Sequence, residues 1–203
     1  MDEIILIGCG GHARSCIDVI ELNGSYKIAG LIGQEKIKSN QALGYPIIGT
    51  DEDLQSIRKK YKFALIAIGQ IKSAEVRIRL YEKLIDLEFT LPVIISPNSY
   101  ISSHSKIGLG TIIMHNVIIN ANSEIGNNCI INNKVLIEHD TEVGNHCHIA
   151  TGSILNGNVS IGSECFVGSG VITKQSINIG NRCVIGSGSV IKTNIQSDQI
   201  IKS

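Results

Sequence analysis

From Ile95 to Ile191 every sixth residue is aliphatic, with one exception at Thr173. The series runs Ile95, Ile101, Ile107 and onward through Ile137, Val143, Ile149 and Leu155, and sixteen of its 17 positions keep the register. Two residues ahead of the aliphatic position stands a small or β-branched side chain, among them Ser105, Thr111, Val117, Ser123, Cys129 and Val135. A period of six held over roughly 100 residues predicts a parallel β-helix. Each hexad forms one flat side of a triangular coil, and three hexads complete a turn. A second period agrees: an aliphatic residue followed by Gly recurs at 107–108, 125–126, 143–144, 161–162 and 179–180, always 18 apart. Cys129, Cys147, Cys165 and Cys183 share that spacing. They are expected to stack on one inner wall at the ~4.8 Å strand spacing, as small buried thiols rather than metal ligands.

The first part of the chain is of another kind. Residues 1–95 hold 12 of the 18 basic and 12 of the 18 acidic residues, all the aromatics except Tyr100 and Phe166, and two of the three prolines. Strand signals at Glu3–Ile7, Lys27–Ile32 and Ala64–Ile68 alternate with helical spacing at Ala13–Leu22, Leu54–Lys60 and Ala74–Leu87. Val76, Leu80, Leu84 and Leu87 form the apolar face of the last helix. The expectation is an α/β domain over 1–94, a small Rossmann-like parallel sheet with helices on its faces, followed by the β-helix over 95–203.

Charge and hydropathy exclude some functions. The formal net charge is +0, with 18 Lys+Arg against 18 Asp+Glu, so no basic field draws the chain to nucleic acid or a membrane surface. No apolar run approaches the ~18 residues of a membrane span, and Met1-Asp2-Glu3-Ile4 lacks the basic start of a signal peptide. A cytoplasmic protein with reduced thiols is expected.

The coil phase sorts the histidines. His139 follows inward Ile137 by two and so falls at a corner, in Glu138-His139-Asp140. Flanking carboxylates suit an imidazole that accepts a proton. Eighteen residues on, the same corner is Gly157, in Asn156-Gly157-Asn158, whose N–H would lie one strand spacing away. A base beside a bare amide donor is what acyl transfer needs; a solvated corner is the competing account. His148 precedes inward Ile149 and faces outward, where a neighbouring coil column could pack. His104, His115 and His146 are secondary candidates. A zinc hydratase of the hexapeptide-coil kind would stack its ligands in one phase, yet no two of these five histidines share a phase on the 18-residue turn. No metal is expected.

The segment Leu136-Ile-Glu-His-Asp-Thr-Glu-Val-Gly-Asn-His-Cys-His-Ile149, continued by Leu155-Asn-Gly-Asn-Val-Ser-Ile-Gly162, resembles the hexapeptide-repeat sugar acetyltransferases. Gly8-Cys-Gly-Gly-His-Ala13 is similar to the amino-terminal nucleotide-sugar motif of one subfamily. That subfamily holds bacterial UDP-4-amino-sugar and GDP-perosamine N-acetyltransferases and sialic acid O-acetyltransferases. The resemblance implies a left-handed coil and a homotrimer of parallel columns with sites between subunits. It also implies acetyl-CoA as co-substrate and a nucleotide-linked amino sugar as acceptor. By position, it makes His139 the general base, Asp140 the residue that orients it and Glu138 part of the same motif. Gly157 matches the residue that binds the thioester carbonyl, and Asn132 and His148 match positions near the reacting groups. Gly8, Gly10, Gly11 and His12 match the loop that meets the activated sugar. Ile112, Val117, Ile118, Ile130 and Leu136 are the apolar residues expected to face neighbouring columns.

This sequence departs from the pattern twice. Gly33 and Gln34 stand where UDP-sugar binders often carry an acidic pair, and Gln199–Ser203 lacks a Gly-x-Pro-Ala loop. Sugar and nucleotide therefore stay open. O-acetylation of a sialic or related acid is the alternative chemistry, and a non-catalytic β-helix assembly protein the alternative class.

Overall fold

The Ile-rich run Asp2–Ile7 forms β1, an interior strand of a five-stranded sheet, and both of its faces are covered. Ile4 and Leu6 point to one side and Ile5 and Ile7 to the other, each into a separate core cluster. The computed structural model describes residues 1–33 and 41–202. In it, α1 (Gly11–Asn23), β2 (Tyr26–Ile32), β3 (Gln41–Ala42), β4 (Tyr45–Gly49), α2 (Leu54–Arg58), β5 (Phe63–Ile66) and α3 (Glu75–Asp86) follow in order. The sheet order is β3-β4-β2-β1-β5, with β1, β2, β4 and β5 parallel and β3 antiparallel to β4. The β3–β4 hairpin was not evident from the sequence, where Tyr45–Gly49 is too short a run to stand out. Gln34 lies outside the described residues.

From Ile94–Ile95 onward the chain winds as a coil of two-residue strands in three parallel sheets. Partners are 18 residues apart, as in Ile130↔His148 and Leu136↔Ile154. The aliphatic position of the hexad and the residue two before it both point inward, and the interior cluster includes Val117, Ile119, Cys129, Ile131, Val135 and Ile137. Each stacked thiol donates to a carbonyl of the next coil, Cys129 Sγ to Gly144 O at 3.1 Å and Cys147 Sγ to Gly162 O at 3.0 Å. Corners turn through residues in the left-handed region, such as Asn122 (φ 59), Asn128 (φ 53) and Asp140 (φ 59). Asn and Asp tolerate that conformation best among residues with a side chain. The register ends at Ile191: Ile179 pairs with Ile195 and Ile185 with Ile201, so the last coil is two residues shorter.

The three outer faces differ. The first (Ile112, Ile130, His148, Phe166) lies under the N-terminal domain, where Ile94, Ile112 and Ile130 join the α1 side of its core. The third (Lys106, Glu124, Glu142, Ser160) is polar. The second presents Tyr100, Ile118, Leu136, Ile154, Ile172 and Val190 to solvent. Of the residues expected to face neighbouring columns, only Ile118 and Leu136 are on that face. Ile112 and Ile130 are covered within the chain, and Val117 is inside the coil.

Polar pins fix the docking. Asn23 Nδ2 donates to Ile95 O at 2.9 Å. His115 bridges Asp18 Oδ2 (2.8 Å, through Nε2) and Ser96 Oγ (2.7 Å, through Nδ1). That Ser–His–Asp order holds two domains together rather than attacking a substrate, since Ser96 is fully buried. On α3 the expected face is rotated. Val76 is exposed, while Arg77 is buried beside Leu80 and Leu84, because the first turn of the helix abuts the coil on the Arg77 side.

Candidate active site

The first group of candidate residues stands at the corner between the second and third faces. His139 Nδ1 lies 2.7 Å from Asp140 Oδ2, and Asn122 Nδ2 donates to Asp140 Oδ1 at 2.7 Å. The Asn122 bond, then the His139 bond, holds the Asp140 carboxyl below its ordinary range. An ionised Asp140 accepts Nδ1–H, which leaves the lone pair on Nε2. Nε2 is turned to the next coil: a Cβ built on Gly157 would come within 2.8 Å of both Nε2 and Cε1. Gly157 has no positive φ, so it is the ring, not the backbone, that excludes a side chain there. Among the described residues the Gly157 N–H has no acceptor, whereas its carbonyl accepts from Ser176 N at 3.0 Å. Among the described residues Glu138 makes no hydrogen bond to the imidazole; Asn120 Nδ2 donates to its Oε2 at 2.8 Å. The sequence reading missed Asn120 and Asn122, although both sit 18 residues before the acidic residue they hold.

Asp140→Asn tests this orientation. An amide offering N–H to Nδ1 would move the ring proton to Nε2, the wrong tautomer for a base. A fall in kcat of about 10–10³ is expected, smaller than for removing the ring itself. Steady-state kinetics at fixed pH would read it.

The second group lines a cleft of about 330 Å³ in the N-terminal domain. Gly8 (φ 121), Gly10, Gly11 and His12 form one wall, with Cys9, Gly33, Asp51, Gly69, Val76 and Arg79 around them. A Cβ at Gly8 would lie 2.8 Å from Ile68 Cγ1 and 2.9 Å from Ala67 O, so only glycine fits against the turn after β5. Gly10 opens α1 without a side-chain cap, and no acidic residue occupies the first turn, so the helix N-terminus is free for an anion. Arg79 and Asp51 were not singled out from the sequence. Arg79 lies three residues beyond Val76 on one helix face, a signal visible only once that face is known to be open.

Asn132 and His148 form a third group, under the N-terminal domain. His148 Nδ1 donates to Gln70 O at 2.6 Å, so Nε2 accepts from Asn132 Nδ2 at 3.2 Å. The ring packs edge-on against Phe166, with centroids 5.3 Å apart. His148 therefore meets its own chain and not a neighbouring column. Burial lowers its affinity for a proton, against the Gln70 bond, with Arg77 adding to the lowering. His12 is close by: burial, then the charges of Arg77 and His148, push it down to about 3. The His12–His148 side and the His139 corner share no contact among the described residues. In a triangular coil, the corner between two faces is opposite the third.

Known proteins match in both halves. The family profile described as PglD N-terminal domain covers residues 3–84. Those described as bacterial transferase hexapeptide (six repeats) and hexapeptide repeat of succinyl-transferase cover 122–157 and 158–193. A perosamine N-acetyltransferase from Caulobacter crescentus, solved with CoA and GDP-perosamine, is 29% identical with a TM-score of 0.91 over 98% of this chain and 93% of that one. Residues 3–84 belong with the PglD N-terminal domains and residues 122–193 with the hexapeptide-repeat transferases.

The acetyltransferase domain of PglB from Neisseria gonorrhoeae, solved in complex with acetyl coenzyme A, is 26% identical with a TM-score of 0.90, over 99% and 96% of the two chains. WeeI from Acinetobacter baumannii, at 22% identity and a TM-score of 0.88 over 100% and 97%, shares the fold. No curated protein matches the sequence. Among the described residues, no helix is long and apolar enough to cross a membrane.

Proposed function

We propose that this acetyltransferase moves the acetyl group of acetyl-CoA onto the amino group of a nucleotide-linked amino sugar, with His139 as the general base. The observation that carries it is the His139 ring, held by Asp140 through Nδ1, with Nε2 turned to the bare Gly157 corner. The unprotonated amine attacks the thioester carbon, and His139 Nε2 takes the proton that the new C–N bond makes acidic. The Gly157 N–H receives the carbonyl oxygen as it gains charge. The C–S bond then breaks, and the imidazolium returns the proton to the CoA sulfur. No acyl-enzyme is needed, and the four coil cysteines are buried away from any such role.

The cleft at Gly8–His12 suits the activated sugar. Its free helix N-terminus and Arg79 offer the positive field that a diphosphate needs. The relatives solved with CoA and GDP-perosamine, and with acetyl coenzyme A, support both ligands. In this reading the protein works in the cytoplasm, where both are made and thiols stay reduced, and supplies sugars for surface glycans.

Within one chain the cleft lies over the first face and His139 at the opposite corner, and in this reading a second copy brings them together. The outward ladder Tyr100, Ile118, Leu136, Ile154, Ile172 and Val190 runs past the His139 corner and offers the surface for it. We read the assembly as a homotrimer with each site shared by two subunits. Light scattering should give three chains for the wild type, and Ile154→Glu should dissociate the trimer and abolish turnover together. A monomeric wild type with full activity would remove the shared site.

The activity is tested by CoA release with UDP-, dTDP-, GDP- and CMP-linked amino sugars and free sialic acid. Turnover with one of the amino sugars is the expected result. Turnover with sialic acid alone would make the enzyme an O-acetyltransferase, and none with any acceptor would leave a binding or assembly protein.

A further inference from the structure

Arg77, in the first turn of α3, is buried to 1% exposure with no carboxylate among its partners. Nη1 donates to Ile68 O at 2.6 Å and Ile66 O at 3.2 Å, at the end of β5. Nη2 donates to Asn128 Oδ1 at 2.6 Å and Asn128 O at 2.8 Å, on a coil corner. Nε has no partner. A cation held this deep without an opposite charge is costly, and a neutral residue would join the two domains at lower cost. What the guanidinium holds in place accounts for it. Two residues beyond Ile68, the Gln70 carbonyl accepts from His148 Nδ1 at 2.6 Å, while Gln70 Nε2 donates to Cys165 O at 3.3 Å. His148 Nε2 in turn meets Asn132.

We propose that Arg77 is a positioning residue for the acceptor side of the site. It clamps the Ile66–Gln70 turn onto the coil at Asn128 and so sets His148 and Asn132 in one orientation. The inference rests on the acetyl-transfer reading only for what is positioned. The charge matters as well as the fork. His148 is faced by Arg77 from α3, by His12 from α1, by the Gln70 carbonyl and by the Phe166 ring, with no carboxylate among them. Protonated His148 would turn an Nε2–H against the Asn132 amide and break that contact. The nearby guanidinium opposes this protonation, as it does at His12.

Three variants separate clamp from charge. Arg77→Met removes both. KM for the amino sugar should rise about tenfold or more, with KM for acetyl-CoA within about twofold, and the acid limb of kcat/KM should move to higher pH. Arg77→Lys keeps the charge without the fork and should restore the acid limb but not KM. Asn128→Asp keeps both oxygens that accept from Nη2 and adds the missing negative charge, giving up the weak Nδ2 donation to Arg77 O (3.3 Å) and exchanging the Nδ2 contact with His146 Nδ1 (3.0 Å) for a carboxylate one. It should fold, leave KM nearly unchanged and move the acid limb up, since a neutralised neighbour makes His148 easier to protonate. It therefore carries the test if Arg77→Met does not fold. The side-chain nitrogen NMR signals of His148 give a readout independent of turnover: Nδ1–H in the wild type, with titration at higher pH in Asn128→Asp. If the wild type acetylates nothing, the activity reading fails while this titration still decides the role of Arg77. Folded variants with wild-type KM, an unmoved acid limb and an unchanged His148 titration would overturn it.

Discussion

Replacing His139 with alanine is expected to lower kcat by about 10²–10⁴ while leaving KM for acetyl-CoA nearly unchanged. The ring is exposed, with a side-chain accessibility of 64%, and its interactions are the Asp140 bond and the approach to Gly157. The main chain of the corner is held independently, by Asn158 N donating to His139 O at 2.9 Å. Truncation should therefore cost within about 0.5 kcal/mol of stability, as at other surface sites. Kinetics and thermal melts on the same preparation separate the two effects. Raising the pH should partly restore turnover, because less of the amine then arrives protonated. The Glu138→Gln variant is a control on the same corner. Its carboxylate is occupied by Asn120, so its loss should be much smaller than that of His139. Wild-type turnover in His139→Ala would remove the ring from the mechanism.

Gly157→Val is expected to give a folded trimer that neither binds acetyl-CoA well nor turns over. The backbone at 157 tolerates a side chain, since its φ is not positive. The clash is with the far end of an exposed, movable ring, 2.8 Å from the new Cβ, so folding survives while the base is displaced. Alanine should already lower kcat by pushing the ring aside. Valine adds two methyls where the thioester has to approach the amide, and loss of that donor is worth about 2.7–4 kcal/mol where comparable oxyanion donors have been removed. A graded loss from Gly to Ala to Val, read by CoA release and by acetyl-CoA titration, supports a base and an amide acting on one carbonyl. A Val variant that keeps its trimer and full turnover would show that the coenzyme lies elsewhere.

Much of the corner was legible because a hexapeptide coil is a local code. The aliphatic residue and the one two before it point inward by strand alternation, and 18 residues return the chain to the same wall. Ile137 therefore set the phase of His139, and the same step brought Gly157 beside it. The step also pairs Asn122 with Asp140 and Asn120 with Glu138. Asn122 escaped the sequence reading because Asn is common at coil corners, where its left-handed conformation alone explains it, and Asn120 because no charge marks it as a partner for Glu138.

The period states which residues face out; it is silent on what covers them. Ile112, Ile130 and His148 occupy the same outward position as Ile118, Leu136 and Ile154, and nothing in the hexads separates the two sets. They differ because α1 and the turn after β5 dock on one face of three, a choice made by contacts between residues more than 70 apart, such as His148 with Gln70 and Asn23 with Ile95. The same docking rotated α3, burying Arg77 and leaving Val76 at the cleft, against the hydrophobic pattern of the helix. Local alternation and the 18-residue step were enough to specify the coil, its interior and the His139–Asp140–Gly157 corner. Which face the N-terminal domain covers, and hence the setting of His148, the buried Arg77 and the open apolar ladder, came only from the tertiary structure, because such burial depends on partners distant in the chain.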